Sequence, residues 1–339
     1  FIDLLYKILN EIDQVTVLDQ YQFINATVLE NLISDKLNLT FKIDETEKFY
    51  IKKINTYGNS VTQENVIRNQ LEIDEGDPYN EILANKSENN LKNLNFFKSV
   101  KTKVIKGKNK NSKIINYEIV EKATGEISAG AGVGTDGGSI LFGVKENNYL
   151  GKGLSVNANA TIASDTLKGN FSVINPNFNN SDKSVFLNIK AEETDKLKDF
   201  GYKTNKTGLG LGTSFEYLKD FNLGLSLSSF IEKMETDSTA SASQQKQKGN
   251  YFDTFLKLNF DYDKRNQKFR TDDGFRSNYS IDIPIISDTY TLTNTYSYKY
   301  FTSFYENNIS SLAIFLKSAN SIGDKDIKLT ERIFLPSRK

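Results

Sequence analysis

From about residue 124 to its end, the chain alternates apolar and polar positions with a period of two. Leu154, Val156, Ala158, Ala160 and Ile162 interleave with Ser155, Asn157, Asn159 and Thr161. Leu209, Leu211, Phe215 and Tyr217 interleave with Gly208, Gly210, Gly212 and Ser214. Leu256, Leu258, Phe260 and Tyr262 do so with Lys257, Asn259, Asp261 and Asp263, and Tyr279, Ile281 and Ile283 with Asn278, Ser280 and Asp282. Successive side chains of a strand point to opposite faces, so each segment has one apolar and one polar face. About eleven such segments, each of about ten residues and followed by a turn, predict antiparallel strands of a transmembrane β-barrel. The outward face meets hydrocarbon and the inward face meets water or protein. Aromatic residues near strand ends (Tyr149, Phe178, Tyr217, Phe221, Tyr262, Phe275, Tyr300 and Phe301) fit an interfacial girdle.

The first 120 residues follow a different pattern. Phe1, Leu4, Leu5, Ile8, Leu9 and Ile12 share one helical face, and two strands follow at 21–29 and 36–43. The chain opens inside that helix, which predicts a truncated or processed N-terminus. Residues 48–122 predict strand, helix, helix, strand, strand: a two-layer α/β unit with one sheet face covered. The first strand lies at 49–54 and ends at the turn Gly58-Asn59, and Thr62 is placed to cap a helix bearing Val66, Ile67 and Leu71. A second helix over 80–94 carries Ile82, Leu83 and Leu91, and strands at 97–105 and 113–120 complete the unit. Residues 1–47 resemble the tail of a second copy, a weak repeat of about 75 residues.

Connection lengths suggest an orientation. With the α/β unit on the periplasmic side, the polar runs 192–206 and 236–250 fall outside, and the short turns 218–220 and 305–307 fall inside. The run 264–273 is long for an inside turn. The Ser/Ala/Gln/Lys-rich run 238–248 predicts a flexible loop.

Composition removes most enzyme chemistry. Lys+Arg and Asp+Glu number 43 each, so no basic excess points to nucleic acid. Without Cys or His there is no thiol nucleophile, no disulfide, no Ser-His-Asp triad and little basis for a metal site. The mean hydropathy of −0.48 is compatible with a barrel, because half of each strand is polar. No stretch is apolar enough for a membrane helix. The Gly-rich segment 130–138 lacks the Lys-Ser/Thr and the helix of a phosphate loop. Asp261 and Asp263 share the inward face near Lys257, Lys264 and Arg265, a pattern that fits lumenal ion pairs better than catalysis.

Two segments could act through backbone pairing. The strand 125–134 carries Gly125, Gly130, Gly132 and Gly134 among Ile127, Ala129, Ala131 and Val133. Glycine weakens a strand, so this one is suited to open at a seam; the same residues could instead serve curvature or aromatic packing on the inner wall. The strand 97–105 is an expected sheet edge, with Lys98, Val100, Lys101, Lys103 and Val104 placed for strand addition. Its lysines could equally protect the edge against aggregation.

Three blocks resemble the BamA family, the barrel subunit of the outer-membrane protein assembly machinery. Phe49-Tyr50-Ile51, Gly58-Asn59, Val66-Ile67-Arg68, Glu75-Gly76-Asp77-Pro78-Tyr79-Asn80 and Asn95-Phe96-Phe97-Lys98-Ser99-Val100 resemble its last POTRA domain. Residues 121–135 with Glu146-Asn147-Asn148-Tyr149-Leu150-Gly151-Lys152-Gly153 resemble the domain-to-barrel junction and first hairpin. Asp261-Tyr262-Asp263-Lys264-Arg265 and Thr271-Asp272-Asp273-Gly274-Phe275 form the third block. The resemblance implies a POTRA module of β-α-α-β-β order over 48–122, the end of a preceding POTRA domain over 1–47, and the first eleven or twelve of sixteen barrel strands over 123–339. An Arg-Gly-Phe loop tip and the closing strands would follow Lys339, so an internal fragment is expected.

The family likeness further implies that Gly125, Ile127, Ala129, Gly130, Ala131, Gly132, Val133 and Gly134 form the first strand of a lateral gate. It implies that Arg68 and Glu75 face an accessory lipoprotein. Expected partners are unfolded outer-membrane β-barrel clients, accessory lipoproteins and the lipid bilayer, with no nucleic acid, metal or cofactor. The expected activity is insertion of barrel proteins into the outer membrane, with the POTRA domains in the periplasm. The alternatives are a two-partner secretion or translocation-assembly transporter, then a passive porin, and more distantly a barrel lipase.

Overall fold

A computed structural model describes residues 24–33, 36–45, 48–134, 137–266, 271–305 and 308–333. The backbone divides into two units, Phe1–Thr124 and Gly125–Lys339.

The first unit begins with a hairpin. Strands β1 (Ile24–Ile33) and β2 (Lys36–Glu45) pair antiparallel, from Ile24 opposite Glu45 to Ile33 opposite Lys36. The helix expected over residues 1–12 lies outside the described residues. Next come β3 (Tyr50–Tyr57), α1 (Glu64–Arg68), α2 (Glu81–Asn93), β4 (Phe97–Lys106) and β5 (Ser112–Glu121), in the expected order. Strand β5 is central, parallel to β3 and antiparallel to β4. Ile51 and Ile54 of β3, Ile67 of α1, Leu91 of α2, Val100 of β4, and Ile115 and Tyr117 of β5 are buried together between sheet and helices. Burial pushes the Tyr117 phenol up to about 12.

Local capping explains where the helices start. The Asn80 side chain accepts the amides of Ile82 and Leu83 at 2.8 and 3.1 Å, which fixes the first turn of α2. Ala84, Ser87 and Leu91 then lie on its buried side. Ile82, expected there, is exposed, because two residues before Ala84 lies across the helix from it. Helix α1 also departs from expectation. Its flanking residue is Gln63, which makes no side-chain cap, and Leu71 lies beyond its end. A distant group, the Glu121 carboxylate at the end of β5, ties down the entry to α1. It accepts the Ser60 hydroxyl at 2.8 Å and the amides of Val61 and Thr62 at 2.9 and 2.7 Å. Partial burial opposes ionisation of Glu121, but these donors outweigh it and hold the carboxyl down at about 2, against an ordinary 4.5. Gly58 permits the turn just before: its φ is +91°, and a Cβ there would sit 2.0 Å from the Ile119 carbonyl oxygen.

The second unit is a single antiparallel meander in which each strand pairs with its sequence neighbours. Its strands are β6 (Gly125–Gly134), β7 (Gly137–Tyr149), β8 (Leu154–Ala163), β9 (Thr166–Asn175), β10 (Ser184–Lys196), β11 (Tyr202–Leu218), β12 (Phe221–Thr236), β13 (Gly249–Asp263), β14 (Gly274–Ile286), β15 (Thr291–Tyr305) and β16 (Asn308–Ser321). Registers keep the apolar positions of neighbouring strands on one face. Ile127 lies opposite Val144, Val144 opposite Ala158, and Ala158 opposite Phe171. Leu211 lies opposite Leu187 and Leu227, and Leu227 opposite Leu256. On that face Phe221, Tyr262, Phe275 and Tyr298 form a row with ring centroids 6.3, 5.6 and 5.8 Å apart. Tyr298 joins this row unforeseen. Phe301, opposite Gly274, falls on the other face from Tyr300.

Two loop expectations change. The polar run 192–206 is largely paired strand: β10 extends to Lys196 and β11 begins at Tyr202, leaving 197–201 as the connection, with the one-turn helix α3 (Leu197–Phe200). At 17 residues β11 exceeds the 9–11 or so that span hydrocarbon, so its charged end stands clear of the apolar band. The 238–248 run holds the one-turn helix α4 (Ala242–Gln245), closed by a Ser241–Gln244 capping box.

Glycines on the inner face differ between strands. A Cβ on Gly208 would meet the Phe230 ring at 2.1 Å, and one on Gly212 would meet the Phe186 ring and the Ser226 Cβ at 2.5 Å each. A Cβ on Gly130 would meet nothing within 4 Å, and one on Gly132 only the Ser139 hydroxyl at 3.6 Å. Strand β11 thus uses glycine to seat aromatic rings, and β6 does not.

Glu121→Gln is expected to cost about 1 kcal/mol for this part-exposed site and to lower hydrogen-exchange protection at Val61 and Thr62. Because the folded-state pKa is depressed, the Glu121 contribution is present above pH 4.5 and is lost as pH falls through about 2. After correction for intrinsic exchange, protection at these two amides should fall across that window in the parent and not in the variant. Gly208→Val and Gly212→Val should each cost about 1–3 kcal/mol through overpacking, whereas Gly130→Val should leave the folded fraction unchanged. Heat-modifiable gel migration reads the difference.

Candidate functional site

Among the described residues, β6 and β16 are the two outer strands of the large sheet. The β6 ladder runs from Gly125 opposite Glu146 to Gly134 opposite Gly137, and among the described residues nothing pairs with its other edge. Ile127, Ala129, Ala131 and Val133 share the apolar face; Ile127 is 87% and Val133 94% exposed. Ser128, Gly130 and Gly132 share the other face with almost no side-chain bulk. An edge of this kind offers a row of unpaired backbone groups to another strand.

Strand β4 is likewise an edge of the three-stranded sheet. Lys98, Lys101, Lys103 and Val104 are exposed, and Lys103 pairs with Glu118 of β5 at 2.5 Å. Val100 belongs to the core, so only its backbone faces the edge. The Thr102 amide is already occupied: Glu88 of α2 accepts it at 3.2 Å. Burial alone would raise the Glu88 carboxyl, but Lys92 and Thr102 outweigh that and hold it below the ordinary value. Sequence reasoning missed Glu88, a charged residue on the largely buried side of α2, in line with Ala84 and Leu91. By the period of two, Val100 and Val104 direct their amides to the same edge as Thr102.

Arg68 and Glu75 come together. Their side chains approach to 3.5 Å, Arg68 also pairs with Glu64 at 2.7 Å, and both reach β3. Glu75 accepts the Ile54 amide at 3.0 Å, and Arg68 donates to the Ile54 carbonyl at 3.2 Å. Both remain partly exposed, so the pair braces the helix end and still presents charge to solvent.

The inner-face carboxylates are neutralised. Arg276 holds Asp261 through two bonds of 2.8 and 2.9 Å, and Arg265 holds Asp263 through two of 2.7 Å. Sequence reasoning also missed a second ionic group, around Lys328. It unites Glu232, Asp253 and Glu331 from segments far apart in the chain, and only the inward parity of Glu232 and Asp253 could have hinted at it.

A family model described as the Omp85 superfamily domain matches residues 148–337, more than half of the chain. The POTRA model, described as a surface antigen variable number repeat, matches residues 49–122. The outer membrane protein assembly factor BamA of Neisseria meningitidis is 26% identical over 200 residues, covering 57% of this chain and 25% of that protein. BamA of Buchnera aphidicola is 29% identical over 145 residues, covering 41% and 24%. The chain thus spans about a quarter of the length of these relatives. The crystal structure of Haemophilus ducreyi BamA lacking POTRA domains 1–3 shares the fold with a TM-score of 0.67 at 20% identity, covering 95% of this chain and 66% of that one. CdiB from Escherichia coli shares it with a TM-score of 0.55 at 11% identity, covering 88% and 58%. The chain belongs to the Omp85 superfamily of outer-membrane proteins, with a POTRA domain followed by barrel strands, and is similar to BamA proteins.

Proposed function

We propose that the intact protein folds and inserts β-barrel clients into the outer membrane by strand templating at β6, without nucleotide. The observation that carries this reading is the inner face of β6, bare around Gly130 among the described residues, where Gly208 and Gly212 of β11 are filled by rings. An unpaired backbone group in hydrocarbon costs several kcal/mol, so a client strand gains by pairing before it enters lipid. Sequence relatives named as outer membrane protein assembly factors support the assignment. The CdiB likeness lends the transporter alternative support from fold alone.

Residues 48–122 are read as the last POTRA domain and residues 1–47 as the end of the one before. Edge strand β4 would receive extended clients through the amides of Val100 and Val104, with Glu88 yielding Thr102 when a longer stretch pairs. Arg68 and Glu75, braced on β3, would present charge to an accessory lipoprotein.

Two experiments test the reading. A disulfide between Ala129→Cys and a cysteine on the strand that closes against β6 should stop client assembly and release it on reduction. Undiminished assembly with the seam locked would rule out the gate. A photo-crosslinker at Lys101 should capture unfolded barrel clients more than one at Lys86 on the helix layer, and capture should rise in Glu88→Ala. Equal capture at both positions would remove the β4 role.

A further inference from the structure

From Lys98 to Lys113 the chain holds seven lysines in sixteen residues and no acidic residue, although Lys+Arg and Asp+Glu balance over the whole sequence. The run covers β4 and its hairpin to β5. Among the described residues, Lys103 alone of the seven makes an ion pair, with Glu118 at 2.5 Å. Lys98, Lys101, Lys106, Lys108 and Lys110 stand exposed in water. A basic run on one edge of a small domain creates a local field that a balanced total charge hides.

Register fixes where these charges point. Val100 lies opposite Ile119, Thr102 opposite Tyr117 and Val104 opposite Ile115, on the face that packs against the helices. Lys101 lies opposite Glu118 and Lys103 opposite Asn116, on the other face. The Thr102 amide points to the free edge, where Glu88 accepts it, so the amides of Val100 and Val104 point there too. A strand added antiparallel to that edge would form its hydrogen-bonded pairs at Val100, Thr102 and Val104. Lys101 and Lys103 would then fall at the non-hydrogen-bonded pairs, where Cα atoms come within about 4.5 Å and side chains are closest. Charge at these two positions therefore decides which strand fits.

Three occupants can be compared. A second copy of β4, paired antiparallel about Thr102, would bring Lys101 close to Lys103 of the other copy, and like charges directly opposite are destabilising. A phosphate headgroup would meet the ammonium groups but would leave the edge amides unpaired. An acidic extended segment satisfies both, since its backbone pairs with the edge while its carboxylates meet Lys101 and Lys103. Its intervening residues would turn to the helix side, against Val104 and the Glu88 carboxylate, which receive an apolar residue better than an acid.

We propose that the β4 edge selects extended client segments that alternate acidic with apolar residues, the acids pairing across the strands with Lys101 and Lys103. This rests on the reading of β4 as a client-receiving edge and adds the chemistry of what it receives. The lysines thus both reject self-pairing and admit a complementary strand.

The test uses the intact protein in detergent micelles doped with phosphatidylglycerol, with a photo-crosslinker at Ser99 and a control at Lys86. Three short peptides compete: one alternates valine with glutamate, one alternates valine with lysine, and one has the composition of the first with its glutamates in a single block. At Ser99 the alternating glutamate peptide should be captured about fivefold or more over the lysine peptide, and clearly over its block isomer. Lys101→Glu combined with Lys103→Glu should reverse the order of the glutamate and lysine peptides, and salt at about 0.5 M should shrink the ratio. Equal capture of the glutamate and lysine peptides, or a ratio unmoved by the charge reversal, would overturn the selection and leave docking at β4 intact. Equal capture of the block isomer would also overturn it, since attraction without register needs no added strand. Capture of phosphatidylglycerol or of a second copy in place of peptide would assign the edge to that occupant and overturn the proposal. No peptide capture above the Lys86 control would remove docking at β4 itself, and the proposal with it.

Discussion

The structure depends on one constraint: backbone amides and carbonyls that face hydrocarbon must be paired within the protein. A meander of antiparallel strands meets it with short connections, and the period of two then sorts side chains by medium. Leu187, Leu211, Leu227 and Leu256 line up across four strands because their registers align them, and glycine, serine and asparagine take the opposite face. The same constraint makes an unpaired edge consequential. Among the described residues the outer strands β6 and β16 each have one side without a partner strand.

The two edges are treated differently. On β4 the lysines are exposed, Val100 is sunk in the core and Glu88 already holds the Thr102 amide, which leaves an edge partly closed by its own domain. On β6 no side chain among the described residues comes within 4 Å of a Cβ built on Gly130. Glycine alone does not distinguish these uses. In β11 the same residue type makes room for Phe186 and Phe230, and it is the neighbouring ring that separates a packing role from an open one.

Much of this was legible in the sequence. Strict alternation placed β8, β11, β13 and β14, and Gly125 to Gly134 emerged as a strand with the expected ends. The β-α-α-β-β order of the front module followed from the switch between helical and two-residue periods. What escaped were interactions between distant segments. Thr62 looked like a helix cap by local rules, yet Glu121, far along the chain, ties down that helix entry. The run 192–206 read as loop because it is polar, yet its two arms pair with each other beyond the apolar band. Ile82 matched an apolar pattern but fell across the helix from Ala84. Lys328 sits in an unremarkable loop sequence, and nothing local marks it as buried.

Connectivity also bears on how the sheet is built. Every pair of strands joins neighbours in the chain, so loop-closure entropy is small and hairpins can accumulate in the order of synthesis. The Lys328 box breaks that rule. Its bonds to Asp253 and, through Thr330, to Glu232 join residues 75 and 98 positions apart. They bring the chain beyond β16 back onto β12 and β13, across the three strands between. The buried ammonium thus joins parts of the sheet that its hairpin ladder leaves far apart in sequence.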